Sequence, residues 1–365
     1  DGGPRSYDAR LLHGARELAR LNASGAPGSR PALLRDAVLP PRGDADDIDL
    51  AALIDFFAAP TERFVRQRLG AMLPRRDETH PDQLEVDLDG LAQWKIGDRH
   101  LRGFLGGEDP RVLGAAELRR GSLPPFAIGA ALLAPIEEKA QAIGQLAQTH
   151  RAHDHGDTVD VLHELPDGRR LYGTVGDVFD EQLVAVTYSR LKPGHRLSAW
   201  IRLLAIAVGA ATVTEAVVVG GGRGRRAEMR RLRLPDDPGE ILRRLIAVRD
   251  AGLRAPLWLP PAAAEAAARG YASGRPAIAL KAVRGLGRWE FKDPYAGLVL
   301  DDDPDPERVL PVDALIGMAG AAPFVELAPE LPEVVEHDGH TPAGQSFVRL
   351  ARAVFGPLLA EESQR

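Results

Sequence analysis

The apolar residues change their spacing near residue 156, and this change constrains the fold more than any other feature of the sequence. Up to residue 155 they recur at intervals of three and four residues, which is the spacing of amphipathic helices. From residue 157 they alternate with polar residues, as in half-buried strands. We therefore predict a mainly helical region over 1–155, with a Gly- and Pro-rich linker at 23–47, followed by an α/β (α+β) region over 156–365.

The second region reads, in order, as a meander of strands, a helix, a hairpin and further helices. The predicted strands are 157–165, 169–179, 183–189, 212–221 and 228–235. A helix over 195–209 separates the third strand from the fourth, and the helix over 236–253 begins with Asp237 as its N-cap. The remaining predicted helices are 6–21, 49–73 with a break at Pro60, 88–107, 126–150, 261–273 and 341–360.

Composition excludes several classes of site. The chain has no cysteine, so disulfides, thiolate nucleophiles and cysteine-based zinc sites are excluded. None of its five lysines follows a glycine, so the Gly-Lys-Ser/Thr phosphate loop of an ATPase is absent. The sequence has no apolar run long enough for a membrane span and no secretion signal at its first residues, and we expect a cytoplasmic protein without a membrane partner. The missing initiator Met indicates part of a longer protein.

The order of these strands and helices resembles the restriction-endonuclease-like core of the PD-(D/E)xK nucleases. In those enzymes an aspartate on one strand and the acid of an acid-x-lysine triplet on the next bind a divalent metal, and the lysine orients the attacking water. Aligning "LYGTVGDVFDEQLVAVTYSRLK" (171–192) with those strands places Gly176 at the aspartate, Thr187 at the acid and Ser189 at the lysine. The resemblance therefore implies an inactive nuclease-like sheet with flanking helices, no catalytic residue and no metal site.

An active metal-dependent nuclease is the alternative hypothesis. Asp177 follows Gly176 directly, but a shift of one residue turns a strand side chain to the opposite face unless a bulge intervenes. Glu290-Phe291-Lys292 is a strand-like acid-x-lysine triplet, although it comes after the whole sheet-and-helix pattern. A second triplet, Glu137-Glu138-Lys139, lies within a predicted helix and is interpreted as a solvated helix face.

Seven segments, in order along nearly the whole chain, resemble the C-terminal region of the RecC family, the gamma chain of bacterial exodeoxyribonuclease V (RecBCD). They are "SYDARLLHGARELA" (6–19), "LIDFFAAPTERFVRQRLG" (53–70), "DLDGLAQWKIGDRHL" (87–101), "GSLPPFAIGAALL" (121–133), "TYSRLKPGHRLSAWIRLLAIA" (187–207), "KDPYAGLVLDDD" (292–303) and "LARAVFGPLLA" (350–360).

The resemblance to RecC implies a non-catalytic subunit that works in double-strand break repair and recombination. It implies RecB-like and RecD-like partner chains, which use ATP and Mg²⁺, whereas this chain needs no cofactor. The family joins these partners and guides forked DNA and unwound single strands. The helicase-like regions in which the family recognises the Chi sequence are missing here, so no Chi-recognising residue is assigned.

An arginine-rich hairpin is the candidate DNA contact. The stretch "GGGRGRRAEMRRLR" (220–233) concentrates basic side chains in a chain whose net charge is -6. These are Arg223, Arg225, Arg226, Arg230, Arg231 and Arg233. Guanidinium groups on a protruding hairpin bind phosphates without selecting a base sequence. The alternatives for this hairpin are contact with a partner chain, exposure to solvent without a ligand, and pairing with acidic neighbours. For the whole chain, the third hypothesis, after the scaffold and the active nuclease, is an interaction module with no role at DNA.

The histidines are candidate metal ligands, and the tryptophans are candidate base-stacking side chains. "THRAHDHGD" (149–157) contains His150, His153 and His155 at a predicted helix end, where the helix dipole favours histidine without a metal. Tryptophans stack on bases in single-strand binding proteins. Trp200 lies in an amphipathic helix and is predicted to belong to the core.

Overall fold

A computed structural model describes residues 47–73, 88–153, 155–209, 212–257, 259–275 and 343–364, with a few isolated positions outside these ranges. The predicted triplet at 290–292 and almost all of the linker at 23–47 lie outside the described residues, as does most of the predicted helix at 6–21. In the part of the chain that the structure describes, no helix is both long and apolar enough to cross a membrane.

The described strands form one mixed sheet. They are β1 (Ile48–Asp49), β2 (Asp157–Glu164), β3 (Arg170–Phe179), β4 (Gln182–Arg190), β5 (Glu215–Gly221), β6 (Ala227–Arg233) and β7 (Glu362–Gln364). Their order is β1-β3-β4-β5-β6-β7, with β2 paired to β3 outside this path. β4 and β5 are parallel, whereas β2–β3, β3–β4, β5–β6 and β6–β7 are antiparallel. The five predicted strands are confirmed, and β1 and β7 are additional.

The helices surround this sheet. They are α1 (Leu50–Ala58), α2 (Pro60–Arg68), α3 (Gly90–Leu105), α4 (Pro110–Arg119), α5 (Phe126–Gln148), α6 (Pro193–Val208), α7 (Pro238–Gly252), α8 (Pro261–Ala272) and α9 (Ala343–Glu361). α4 is additional to the prediction. The predicted mixed α/β architecture is confirmed, whereas the division of the chain at residue 155 stays a prediction.

Local sequence explains where the main elements begin. The Asp237 side chain accepts a hydrogen bond from the Glu240 N–H at 2.9 Å, so the predicted N-cap of α7 is confirmed. Asp89 caps α3 in the same way through the Ala92 N–H. Parallel strands need a crossover connection, and α6 supplies it between β4 and β5.

The sheet has one apolar core on each face. The larger core joins Val175 and Leu183 of the sheet to side chains of α1, α6, α7, α8 and α9. Trp200 of α6 is fully buried there, which confirms its predicted place in the core. The smaller core joins Tyr188 and Val219 to side chains of α3 and α5. β4 contributes to both cores because alternate side chains of a strand point to opposite faces.

Candidate nucleic-acid interface

Gly176, the first of the three nuclease-like positions, lies at an irregularity in the pairing of β3. Asp157 pairs with Val178 and Val159 pairs with Val175, so β3 has one residue more than β2 over this interval. Asp177 has a φ of 59°, in the left-handed region that is common at bulges. The bulge that the nuclease alternative requires is therefore present at residues 176–177.

The surroundings of Asp177 differ from those of a metal ligand. Burial lowers the pKa of Arg202 on α6, and the negative charge of Asp177 partly offsets that effect. The exposed Asp177 carboxylate is thus within electrostatic reach of a guanidinium group. Within the described residues, no group of three or more His, Cys, Asp or Glu side chains could bind a metal ion.

Thr187 and Ser189, the other two positions, lie in the irregular end of β4. β3 and β4 pair only at Val178↔Leu183 and Phe179↔Gln182, so the strand ladder does not bring Gly176 opposite Thr187. The Ser189 N–H donates to the Thr187 Oγ1 at 3.2 Å. The Ser189 Oγ accepts a hydrogen bond from the Trp94 Nε1 at 2.9 Å. Ser189 therefore fixes an indole ring of α3.

The histidine-rich segment follows α5, as predicted. α5 ends at Gln148, and the Thr149 hydroxyl donates to the carbonyl oxygen of Leu146 at 2.7 Å. The His153 Nε2 lies 3.4 Å from a carboxylate oxygen of Asp180. Both side chains are exposed, so this pair contributes little to stability.

The arginine-rich stretch forms the β5–β6 hairpin, and its glycine-containing tip is confirmed. Arg223, Arg225 and Arg226 lie at the tip and are exposed. Arg225 donates to a Glu138 carboxylate oxygen at 2.7 Å, which connects the tip to α5. Within the described residues Arg223 and Arg226 form no ion pair, so their guanidinium groups are available to a ligand.

The arginines of β6 differ from those of the tip. Arg230 is half-buried and pairs with Glu228, and Arg231 lies 3.4 Å from a Glu215 carboxylate oxygen. Arg233 is exposed at the end of the strand. Pairing with acidic neighbours, one of the alternatives for the whole stretch, therefore applies to Arg230 and Arg231 and, at the tip, to Arg225. A DNA contact by any of the six arginines stays a prediction.

The interpretation of Glu137-Glu138-Lys139 as a solvated helix face is wrong for two of its residues. Glu138 is exposed, but Glu137 and Lys139 are only partly accessible. Burial raises the pKa of the Glu137 carboxyl. The Lys139 Nζ lies 4.1 Å from the centroid of the Tyr188 ring. Helical spacing predicted their separation along α5, but neighbouring elements determine their burial. Glu137 packs against helices α3 and α4, and Lys139 packs against strands β4 and β5.

The fold and the site define a mixed α/β domain that presents an arginine-tipped hairpin beside the irregular end of a central strand. Residues 45–272 match the model of the RecC C-terminal domain family. The chain therefore belongs to the RecC family and contains its C-terminal region.

Two similar proteins support the same family assignment. The RecBCD enzyme subunit RecC of Mycobacterium tuberculosis is 41% identical over 222 residues, which are 60% of this chain and 20% of that protein. The RecBCD enzyme subunit RecC of Mycolicibacterium smegmatis is 38% identical over 259 residues, which are 70% of this chain and 23% of that protein. The matched part thus spans about a fifth of the length of these relatives.

Proposed function

We propose that this chain is a non-catalytic scaffold and DNA-guiding part of a RecBCD-type helicase-nuclease in double-strand break repair and recombination. Its partners are RecB-like and RecD-like chains, a DNA fork and unwound single strands. The match of residues 45–272 to the RecC C-terminal domain is the observation that carries the proposal. The exposed arginines of the hairpin tip support the DNA contact.

The side chains at the three nuclease-like positions support the absence of cutting. Metal-assisted hydrolysis needs carboxylates that bind the ion and a group that orients the attacking water. Gly176 has no side chain, and Thr187 and Ser189 offer only hydroxyl groups. These residues do not fit a magnesium site of the PD-(D/E)xK kind, so no catalytic step is assigned to this chain.

A nuclease assay separates the scaffold from the active enzyme. We expect the purified chain to cleave neither single-stranded nor duplex DNA with Mg²⁺ or Mn²⁺. Wild type is compared with Asp177→Ala and with Glu290→Ala across a metal titration. Cleavage by the wild type that either substitution abolishes would overturn the proposal. Trace cleavage that all three proteins share at equal level indicates a contaminating nuclease, and refractionation then removes it.

The hairpin tip offers a direct test of DNA guidance. We expect Arg223→Ala with Arg226→Ala to weaken forked-DNA binding by the chain assembled with its RecB-like and RecD-like partners. Each lost phosphate contact lowers the slope of log affinity against log salt by about one. The matched control is Arg111→Ala with Arg119→Ala, two exposed arginines of α4.

Two outcomes of that experiment contradict the proposal in different ways. An unchanged salt slope in the hairpin variant removes the tip as a phosphate contact. Failure of the wild-type chain to co-purify with the partner chains removes the scaffold role. If the chain co-purifies with its partners but the hairpin substitutions do not change DNA binding, the result favours the third hypothesis, an interaction module.

A further inference from the structure

A cavity of about 420 Å³ opens between α3, α5 and the end of β4, beside Ser189. Its polar lining consists of side chains from all three elements, while apolar side chains of α5 form one wall. The polar and aromatic residues that matter here are Gln93, Trp94, Lys139, Ser189, Arg190 and Lys192. Of the three nuclease-like positions, Ser189 lines this cavity, whereas Gly176 and Thr187 do not.

The charge of this cavity is of one sign. Lys139, Arg190 and Lys192 line it, and its lining residues in the described part of the chain include no Asp or Glu. The whole chain, by contrast, has a net charge of -6. Within the described residues, none of the three cations lies within ion-pair distance of a carboxylate. A bound anion would thus meet three cations without displacing a resident partner.

Lys139 is the most constrained of the three cations. It is half-buried, and its Nζ lies over the Tyr188 ring at 4.1 Å from the centroid. Burial removes part of the hydration of the charged ammonium group and thereby lowers the pKa of Lys139. An anion beside Lys139 would replace that hydration.

Trp94 supplies a fixed aromatic surface next to these cations. Its indole N–H donates to the Ser189 Oγ at 2.9 Å, and the side chain remains 38% exposed. Because the hydrogen bond holds the ring in place, little conformational entropy remains to be lost when a planar group stacks on it. A fixed indole beside phosphate-binding cations is the combination found where proteins bind single strands without base selectivity.

The cavity adjoins the base of the arginine hairpin. The Leu191 N–H donates to the Gly221 carbonyl oxygen at 2.9 Å. A Cβ at Gly221 would lie 3.2 Å from the Lys139 Nζ, so the lysine packs directly on the hairpin backbone. Exposed Arg223 and Arg226 lie at the tip of the same hairpin.

We propose that this cavity binds one nucleotide of a single DNA strand, with the base stacked on Trp94 and the flanking phosphates near Lys139, Arg190 and Lys192. The proposal rests on the proposed function and adds a specific site to it. An acidic peptide would use the three cations, but the fixed indole and the apolar wall would contribute nothing specific to its binding. The observations therefore favour a nucleotide.

Equilibrium binding of fluorescently labelled oligothymidylate to the full chain tests the site without the partner chains. We expect Trp94→Ala to weaken binding roughly tenfold, the effect of losing one stacked base. Trp94→Phe retains an aromatic surface and loses less. Lys192→Ala lowers the salt slope by about 0.7, the contribution of one phosphate contact to a single strand. The matched control is Lys95→Ala, an exposed lysine of α3 outside the cavity, which leaves affinity and slope unchanged.

Crosslinking provides a measurement that needs no variant. Oligonucleotides that contain 5-iodouracil are irradiated with the wild-type chain, and the crosslinked peptides are identified by mass spectrometry. We expect a crosslink at Trp94. Crosslinks confined to the hairpin, or an affinity of Trp94→Ala equal to that of wild type, would overturn the site.

Two competitors distinguish the base from its phosphates and from a peptide. An abasic oligomer of the same length has phosphates but no base to stack on Trp94. Its affinity for the wild-type chain should therefore be about as low as the affinity of oligothymidylate for Trp94→Ala. Poly-glutamate that competes as well as oligothymidylate would overturn the nucleotide and favour an acidic peptide. These results are independent of co-purification with partner chains, so the cavity and the scaffold role can fail separately.

Discussion

The two faces of the sheet differ in what covers them. Helix α6 covers one face with a nearly continuous apolar surface, from Leu197 to Ile206, and four other helices extend that core. Helices α3 and α5 cover the other face with fewer apolar side chains, and their core adjoins the cavity that contains Lys139. The first face mainly stabilises the fold, whereas the second combines a small core with charges that face solvent.

This difference indicates why a binding site is expected on one face only. A close-packed apolar core excludes both water and ligands. An incompletely filled face leaves room for a ligand, at the cost of some stability. Three experiments test this difference between the faces, beginning with the variants that should lose the most stability.

Truncation of one large aliphatic side chain on each face should give the largest effect. Leu204→Ala in α6 removes a fully buried side chain, and we expect it to lower the free energy of unfolding by roughly 3–5 kcal/mol. Ile136→Ala in α5 borders the existing cavity, so we expect a loss closer to about 2 kcal/mol. Urea denaturation of both variants measures the difference. Equal losses would show that the two cores are packed equally well.

Close packing at one point of the second face should produce the next effect. A Cβ added to Gly97 of α3 would overlap the Tyr188 ring, whereas a Cβ at Gly90 of the same helix meets no atom within 4 Å. We expect Gly97→Ala to destabilise the chain by roughly 1–3 kcal/mol. Gly90→Ala is the matched control and should be neutral or slightly stabilising. Thermal unfolding of both variants measures this, and equal midpoints would contradict the contact.

Charges beside the first face are paired, in contrast to those of the cavity. Arg196 donates to Glu265 at 2.6 Å and to Glu362 of β7 at 2.5 Å. Arg269 donates to Glu362 at 2.8 Å. Burial raises the pKa of the Glu362 carboxyl, but the hydrogen bonds from Arg196 and Arg269 outweigh this effect and bring the pKa below its ordinary value of 4.5.

The lowered pKa of Glu362 predicts that acid weakens the docking of β7. A carboxyl whose pKa is lower in the folded than in the unfolded state stabilises the fold above its ordinary pKa, and the contribution is lost as the pH falls through the folded value. We expect hydrogen exchange at residues 362–364, corrected for its intrinsic pH dependence, to increase as the pH falls below the ordinary carboxyl pKa of 4.5. Glu362→Gln should remove this dependence, whereas Glu361→Gln should retain it. A dependence that survives in Glu362→Gln would contradict the assignment.

Periodicity predicted most of the fold because it reports directly on which side of an element is buried. The strand pattern and the Asp237 cap were predicted within a few residues of β2–β6 and α7. The short strands β1 and β7 were not predicted, since segments of two and three residues carry no measurable alternation. The helix α4 was also missed, although Asp109 and Pro110 at its start are a recognisable signal.

The candidate site was predicted only in part. The arginines of the hairpin tip and the residues at 176, 187 and 189 were identified from sequence. The pairing of Arg231 with Glu215 and the hydrogen bond of Trp94 to Ser189 join residues of different elements, which no spacing rule relates. Arg230 and Glu228, by contrast, lie two residues apart on β6, where strand alternation places them on one face.

One can read from the sequence the spacing of the apolar residues in each segment, the absence of cysteine and of a phosphate loop, and the residue types at the nuclease-like positions. The folded chain is needed to see that Asp177 lies at a bulge, that Lys139 is half-buried against Tyr188 and that a cavity opens beside Ser189. Side-chain periodicity is readable because it follows from local backbone geometry. Burial and charge pairing depend instead on which distant elements pack together, and one residue inserted in a strand is enough to change them.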